Sequence, residues 1–214
     1  MTINDVYKQF DTPRNLQRHM LDVAGIVCLI KRYWKRGEVN WPDVTAAALL
    51  HDLGNIVKFD LNAYPQLLGD EQPRIEYWRT IQHKTIQKYG TDDHEATDVM
   101  LQELALSNRI RQIISSKSFG NSVNLFASHD IESQLLLYCD LRVLPSGVGS
   151  LDECLKDIKA RLPKYSERPD FNEMVDACYA IEKNINKSVS IDIQDDVDGQ
   201  TVAACAVDLR YYEL

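Results

Sequence analysis

The sequence predicts an all-α fold, a helical bundle followed by a short C-terminal segment whose structure it leaves undecided. Apolar residues recur at steps of three and four along most of the chain, as expected for helices that bury one face. Capping residues and prolines stand where these periodic stretches begin, and glycines stand where several of them end. With 214 residues, of which 44% are hydrophobic, the chain is long enough to bury a sizeable core.

Start signals divide the chain into successive helices. Five of these signals are Asp11-Thr12-Pro13, Trp41-Pro42-Asp43, Thr91-Asp92-Asp93, Ser107-Asn108 and Ser128-His129-Asp130. Helices are expected from residue 14 to about 36, from 41 to the pair at 51–52, and over 76–88, 94–106, 108–116, 131–144, 151–162 and 170–187. Residues 54–75 contain two glycines and two prolines, so a long loop is expected there.

The last part of the chain has a different pattern. Ser188 to Ile193 alternates in a strand-like way, Asp192 to Asp198 is acidic, and Thr201 to Leu209 is apolar enough to pack. The acidic run lacks the spacing of a calcium loop and is interpreted as a solvated loop. We therefore divide the chain into a helical domain, 1–187, and an extension, 188–214, that is packed on it or partly flexible.

Charge and cysteine content narrow the class of function. The net charge is −8 and the pI about 5.1, which argues against binding to nucleic-acid polymers or anionic membranes. The five cysteines show no C-x-x-C spacing, so a zinc knuckle is not expected and free, mostly buried thiols are. No secretory leader and no apolar run of membrane-spanning length is present in the sequence, and we expect a cytoplasmic protein.

Three separated helices carry metal-capable side chains among apolar neighbours. The run from Ala46 to Leu50 implies a buried helix that ends in His51 and Asp52. His19 lies within an earlier apolar stripe, and Asp140 shares its helix with many leucines. A carboxylate in such a position is costly unless it is paired or bound to a cation. Histidine and carboxylate ligands suit a divalent metal ion, which leaves positions for water and substrate.

At these residues the chain resembles the HD-domain superfamily of metal-dependent phosphohydrolases, whose ligands occur in the order H…HD…D. The matching segments are Leu16–Ala24, Leu49–Gly54 and Leu137–Val143, and the resemblance covers roughly residues 12–145. It implies an HD-domain-like helical bundle, a buried metal site and cleavage of phosphate esters, commonly in nucleotides. The metal ligands implied are His19, His51, Asp52 and Asp140.

The chain departs from the family pattern at two places. Asn55 stands where many members have the lysine of H-D-x-G-K, and Lys58 is the nearest basic residue. Members with two metal ions have two further histidines; His94 fits the first, but Ser115, Ser116 and Lys117 occupy the region of the second. One divalent ion is therefore expected, and Mn, Co, Ni, Fe, Zn and Mg all remain open.

The resulting hypothesis is a metal-dependent phosphohydrolase that acts on a small phosphoester, a nucleotide in the first instance. A phosphomonoesterase or nucleotidase is favoured over a phosphodiesterase. Asp52 would orient or deprotonate the attacking water, and His94 would protonate the leaving group or stabilise charge. Lys58, Lys84 and Asn55 are the candidate substrate-binding residues.

Several alternatives remain open from the sequence. The domain could bind metal and nucleotide without turnover, for sensing or partner binding, or could hold a redox-active iron site. His19 alone could be a satisfied core histidine, and Asp140 an ion-pair partner of Arg142 or Arg18. The second His-Asp pair, at 129–130, follows a serine at a helix start, so helix capping is the favoured interpretation. Formation of a homodimer is left open.

Overall fold

The computed structural model describes residues 1–214 and confirms the all-α fold. Its α-helices are α1 (Ile3–Gln9), α2 (Arg14–Tyr33), α3 (Trp41–Leu50), α4 (Ile75–Tyr89), α5 (Asp93–Glu103), α6 (Asn108–Ser116), α7 (Ser122–Ser128), α8 (Ile131–Asp140), α9 (Leu151–Arg161), α10 (Pro163–Ser166), α11 (Phe171–Asn186) and α12 (Gly199–Ala206). Short 3₁₀ helices span Asn55–Lys58, Pro65–Arg74, Phe119–Asn121 and Leu209–Tyr211. The one sheet is an antiparallel hairpin of β1 (Val143–Leu144) and β2 (Gly147–Val148).

Helices α2 and α3 form the centre of the main apolar core. Helix α2 packs against α3, α8 and α12, and α3 also packs against α6 and α8. Seven of the ten residues of α3 are buried, as expected for a helix that is apolar on nearly every side. Helix α2 has 20 residues, yet no helix in the structure combines the length and apolarity that a membrane crossing needs.

Local capping chemistry explains where most of the predicted helices begin. The side chain of Asn40 accepts a hydrogen bond from the amide of Asp43 ahead of α3, and Asp92 accepts from two amides at the start of α5. Ser107 caps α6 in the same way. Each cap satisfies a donor that the first helical turn leaves unpaired. These starts agree with the sequence predictions.

The predicted helix over 131–144 is too long, because α8 ends at Asp140. Pro145 disfavours helical backbone at the residue before it, and that residue belongs to strand β1. The hairpin turns at Pro145 and Ser146, and Gly147, the first residue of β2, has a φ of 117° that favours a residue without a side chain. Ending α8 at Asp140 places this carboxylate at the end of the helix, where side chains from other elements reach it.

The C-terminal extension packs on the helical domain and is partly helical. Single β-bridges join Val189 to Trp34 and Glu213 to Thr2, while α12 lies against α2. The contact with α2 is close at Gly25, where an added Cβ would lie 2.9 Å from the side chain and the carbonyl of Val202. Glycine at this position therefore lets the two helices approach.

Arg142 joins the extension to the end of α8 from inside the protein. Its side chain is 1% exposed and donates hydrogen bonds to the carbonyls of Gly149, Ile193 and Val197, the last at 2.9 Å, and to the hydroxyl of Tyr138. No carboxylate lies within ion-pair distance of it. The guanidinium charge is thus stabilised by oriented carbonyl dipoles.

All five cysteines are free, as the sequence predicts, and Cys139, Cys154 and Cys178 are buried. Burial raises the pKa of the Cys154 and Cys178 thiols to about 12. Because the thiolate is the reactive form, these two side chains act as small apolar core residues.

Candidate metal centre

The four predicted metal ligands meet where α2, α3 and α8 come together. His19 projects from the second turn of α2, and Asp140 is the last residue of α8. His51 and Asp52 follow the last helical residue of α3, so the end of that buried helix directs both side chains to the same place. The turn after them is held by Gly54, whose amide donates to the hydroxyl of Thr97 at 3.1 Å.

The most compact part of the centre is a triangle formed by one atom from each of three side chains. The Nε2 atoms of His19 and His51 are 3.2 Å apart, and Oδ1 of Asp140 lies 3.0 Å from the first and 3.3 Å from the second. A circle through the three atoms has a radius of about 1.8 Å, shorter than the roughly 2.0–2.2 Å of a metal–nitrogen or metal–oxygen bond. One ion can therefore contact all three atoms, and the donor set fits a divalent cation.

The orientation of His51 is fixed by its other ring nitrogen. Nδ1 lies 2.8 Å from the carbonyl oxygen of Ala48, and a carbonyl can only accept a hydrogen bond. Nδ1 therefore carries the proton, which in the neutral ring leaves a lone pair on Nε2 directed into the centre. Backbone partners of this kind commonly orient metal-binding histidines. The side chain of His51 is also fully buried, so it is held rigidly.

Asp52 flanks this triangle. Its two oxygens lie 3.7 Å from Nε2 of His19 and 3.6 Å from Nε2 of His51. The three atoms of the triangle lie within 4.8 Å of one another, and Asp52 does not belong to that compact group. The structure therefore brings all four predicted residues together, with three of them in the arrangement that a metal ion needs.

The sequence interpretation missed Lys117 as a member of the centre. Its Nζ lies 2.6 Å from Oδ1 of Asp52 and 3.3 Å from Oδ2 of Asp140, and the residue is only 8% exposed. A signal was present, because Lys117 continues the buried stripe of Ile110, Ile113 and Ile114 at helical spacing. A lysine in that register directs its ammonium group into the protein.

Lys117 also corrects the alternative partners considered for Asp140. Arg142 donates to carbonyls and to a tyrosine, and Arg18 pairs with Asp22 at 3.8 Å. The cation beside Asp140 is therefore Lys117. The ring of His19 contacts both His51 and Asp140, so its hydrogen-bonding partners lie within the centre.

Charge–charge interactions decide the protonation of the centre. Burial by itself would raise the pKa of Asp52 and of Asp140, but the ammonium of Lys117 and the two histidine rings together outweigh it and hold both pKa values well below the usual range. Burial would lower the pKa of His19 and of Lys117, yet the adjacent carboxylates raise both. The carboxylates are consequently ionised and the lysine is charged at neutral pH.

The centre is most exposed to solvent at His19 and Asp140. The side chains of His19 and Asp140 are 24% and 22% exposed, whereas His51 has no exposed surface. A ligand from solution therefore approaches along the side formed by His19 and Asp140.

The other predicted site residues do not contact these side chains. Lys58 is exposed and forms an ion pair with Asp93 at 2.6 Å, and Lys84 is exposed as well. His94 is exposed and lines a separate small cavity of about 60 Å³. Asn55 is buried in the turn after Asp52, where the backbone amide of Asn55 donates a hydrogen bond to the backbone carbonyl of Asp52. Roles for them in catalysis or substrate binding stay predictions.

The second His-Asp pair is structural, as the sequence predicts. Asp130 accepts a hydrogen bond from the amide of Ser133 and caps α8. It also pairs with Arg109, whose Nη1 lies 2.9 Å from its carboxylate. His129 ends α7 in the left-handed conformation, with φ of 57°. This pair provides a natural control for the pair at 51–52.

Comparisons with known proteins identify no relative. No family model matches the chain, and no curated protein or solved structure matches it. The residues and geometry of the centre are therefore the basis for the proposed function.

Proposed function

We propose that the chain is a divalent-metal-dependent phosphohydrolase that acts on a small phosphoester of the nucleotide class. The observation that supports it is the convergence of ligand atoms from His19, His51 and Asp140 within 4.8 Å of one another, next to a further carboxylate. Burying several ionisable groups so close together lowers the stability of the fold, and such clusters are typical of functional sites. The resemblance to HD-domain phosphohydrolases gives the same ligands in the same order.

In this proposal some side chains would bind the ion and others would accept or donate protons. His19, His51 and Asp140 would hold the ion, which would supply a water of lowered pKa and polarise a phosphoryl oxygen. Asp52 stays ionised beside Lys117, so it can accept a hydrogen bond from that water and orient it for attack. A phosphorylated substrate would enter along the side formed by His19 and Asp140.

The charge of the chain favours a small substrate over a polymer. A net charge of −8 repels a polyanion over its length, whereas a divalent ion supplies positive charge only at the centre. A phosphomonoester needs just that local charge. We therefore place phosphomonoesters and nucleotides ahead of phosphodiesters, with one ion of Mn, Co, Ni, Fe, Zn or Mg per chain.

Metal binding is tested by comparing the two His-Asp pairs. His51→Ala removes a ligand from the triangle, and we expect its affinity for Mn²⁺, Co²⁺ or Zn²⁺ to fall at least about 100-fold. His129→Ala, the matched control, should bind one equivalent like the unmodified chain. Titration calorimetry and elemental analysis give the affinity and the stoichiometry. Equal binding by both variants would place the ion elsewhere.

Hydrolysis is tested separately with Asp52. A panel of nucleotides and other phosphoesters is assayed by phosphate release after loading with each metal. We expect Asp52→Asn to keep the ion but to lose at least about 100-fold in turnover, as is typical when a group that positions or deprotonates the nucleophile is removed. The proposal fails if the chain binds no divalent ion, or if Asp52→Asn leaves a detected activity intact.

A second candidate is a metal- and nucleotide-binding domain without turnover. It is favoured by the ion pair between Lys117 and Asp52, because a carboxylate engaged at 2.6 Å is a weaker base for water. Saturable nucleotide binding in the presence of metal, with no product over hours for any substrate, would support this alternative.

A further inference from the structure

We propose that Lys117 is a built-in counter-cation of the centre, which balances the two carboxylates in the metal-free protein and lowers the affinity for the ion. This inference rests on the metal centre of the proposed function and is independent of which reaction, if any, the centre catalyses. It assigns a positioning role to a residue that the ligand pattern does not include.

The two carboxylate oxygens of Asp140 contact different groups. Oδ1 faces the histidines, 3.0 Å from Nε2 of His19 and 3.3 Å from Nε2 of His51. Oδ2 faces Lys117, with Nζ at 3.3 Å. The ammonium therefore contacts the oxygen that the metal triangle does not use. Lysine and metal can be held by the same carboxylate at the same time.

Asp52 contacts the same ammonium group. Its Oδ1 lies 2.6 Å from Nζ of Lys117, and its Oδ2 is turned towards His19 at 3.7 Å. Lys117 thus ties the two carboxylates together, through Oδ2 of Asp140 and Oδ1 of Asp52, and the latter oxygen also lies 3.6 Å from Nε2 of His51. With only 9% of its side chain exposed, the ammonium is held inside the centre rather than in solvent.

Lys117 also sets the net charge of the centre. Two ionised carboxylates buried without a cation would repel each other and would destabilise the metal-free fold. Lys117 leaves the centre with a net charge of −1 when the histidines are neutral, and with +1 when a divalent ion is bound. The same lysine repels that ion, because both are positively charged and one carboxylate holds them close together. A charge pair of this kind about 6 Å apart, even at the dielectric constant of water, changes affinity about tenfold.

The experiment compares Lys117→Met with Lys117→Arg by titration calorimetry and chelator competition with Mn²⁺ and Co²⁺ at fixed ionic strength. The methionine variant keeps the length of the side chain and removes its charge, so we expect at least tenfold tighter metal binding. Its metal-free form should melt about 5 °C or more below the unmodified chain and recover when metal is added. The arginine variant keeps the charge and should stay within about threefold of the original affinity.

A second pair of variants keeps the test decisive if metal-free Lys117→Met does not fold. Asp52→Asn is compared with Asp52→Asn combined with Lys117→Met, so that only one carboxylate has to be balanced. The double variant should fold without metal and bind the ion at least tenfold more tightly than Asp52→Asn alone.

The outcomes separate this inference from the proposed function. If the unmodified chain binds one ion and removal of the lysine charge leaves the affinity unchanged or weaker in both pairs, Lys117 is a structural ion-pair partner and the inference is overturned. If the unmodified chain binds no ion, the metal centre itself fails. A lower melting temperature alone is expected of any buried ion pair, so the gain in affinity is the deciding readout.

Discussion

Replacement of Arg142 by methionine is expected to be among the most destabilising single changes in the chain. The guanidinium is buried and its partners are the carbonyls of Gly149, Ile193 and Val197 together with the hydroxyl of Tyr138. Methionine fills much of the same volume but donates no hydrogen bond. The carbonyls of Ile193 and Val197 would be left unpaired in the interior, and that of Gly149 in a partly buried position.

The magnitude follows from the number of acceptors left without a donor. Each buried carbonyl that loses its partner costs about 1–2 kcal/mol. Two are affected, and the partly buried carbonyl of Gly149 adds a smaller loss. Relief of the desolvated charge offsets part of the total. We therefore expect the free energy of unfolding to fall by roughly 2–4 kcal/mol, and the segment from Ile193 to Val197 to detach first because two of its carbonyls bind the guanidinium.

Urea unfolding followed by circular dichroism measures this loss, and hydrogen exchange locates it. The matched control is Arg161→Met, an exposed arginine that pairs with Asp157 on its own helix and should cost under about 1 kcal/mol. A loss below about 1 kcal/mol for Arg142→Met, or exchange that rises uniformly instead of around residues 193–197, would refute the reasoning.

Two further predictions concern the surroundings of the centre. The pKa values of Asp52 and Asp140 are held below their ordinary value of 3.8, so their contribution to stability is present above about pH 4 and is lost as the pH falls further. Acid unfolding of the metal-free chain should show this loss of stability. Asp140→Asn should make stability fall less steeply with decreasing pH, and identical pH profiles for the variant and the unmodified chain would contradict the prediction. Gly54→Ala would place a Cβ 2.7 Å from the amide nitrogen of Thr97, and we expect a cost of about 1–3 kcal/mol in thermal unfolding. Gly199→Ala, where an added Cβ meets no atom within 4 Å, is its control and should be neutral.

Much of the fold could be predicted because helix starts depend on local chemistry. The cap of α5 at Asp92 and that of α6 at Ser107 involve residues two or three positions away, which a sequence displays directly. No start signal in the sequence predicts α7, which packs against α11. The strand-like alternation after Ser188 reflects a single bridge at Val189 and a fully buried Ile193, while the extension forms a helix further on.

The sequence predicts the metal-capable side chains of the candidate centre but not the lysine beside them. Residue type and order identified the side chains of the triangle, because histidine and aspartate on apolar helices are unusual wherever they occur. Helical spacing also places Lys117 on the buried side of α6. Its partners, however, lie 65 positions away at Asp52 and 23 positions away at Asp140. Such pairings arise from packing, which spacing along one helix cannot display.

The wide separation of the candidate ligands along the chain has a consequence for how the protein folds. His19 and His51 are 32 positions apart, and His19 and Asp140 are 121 positions apart. Loops of this length must close before the three atoms meet, and closure is opposed by chain entropy until α2, α3 and α8 have packed. The complete ligand set consequently exists only in chains that have finished folding. Metal capture, as proposed for this centre, should therefore follow the slowest refolding phase and would report completed assembly.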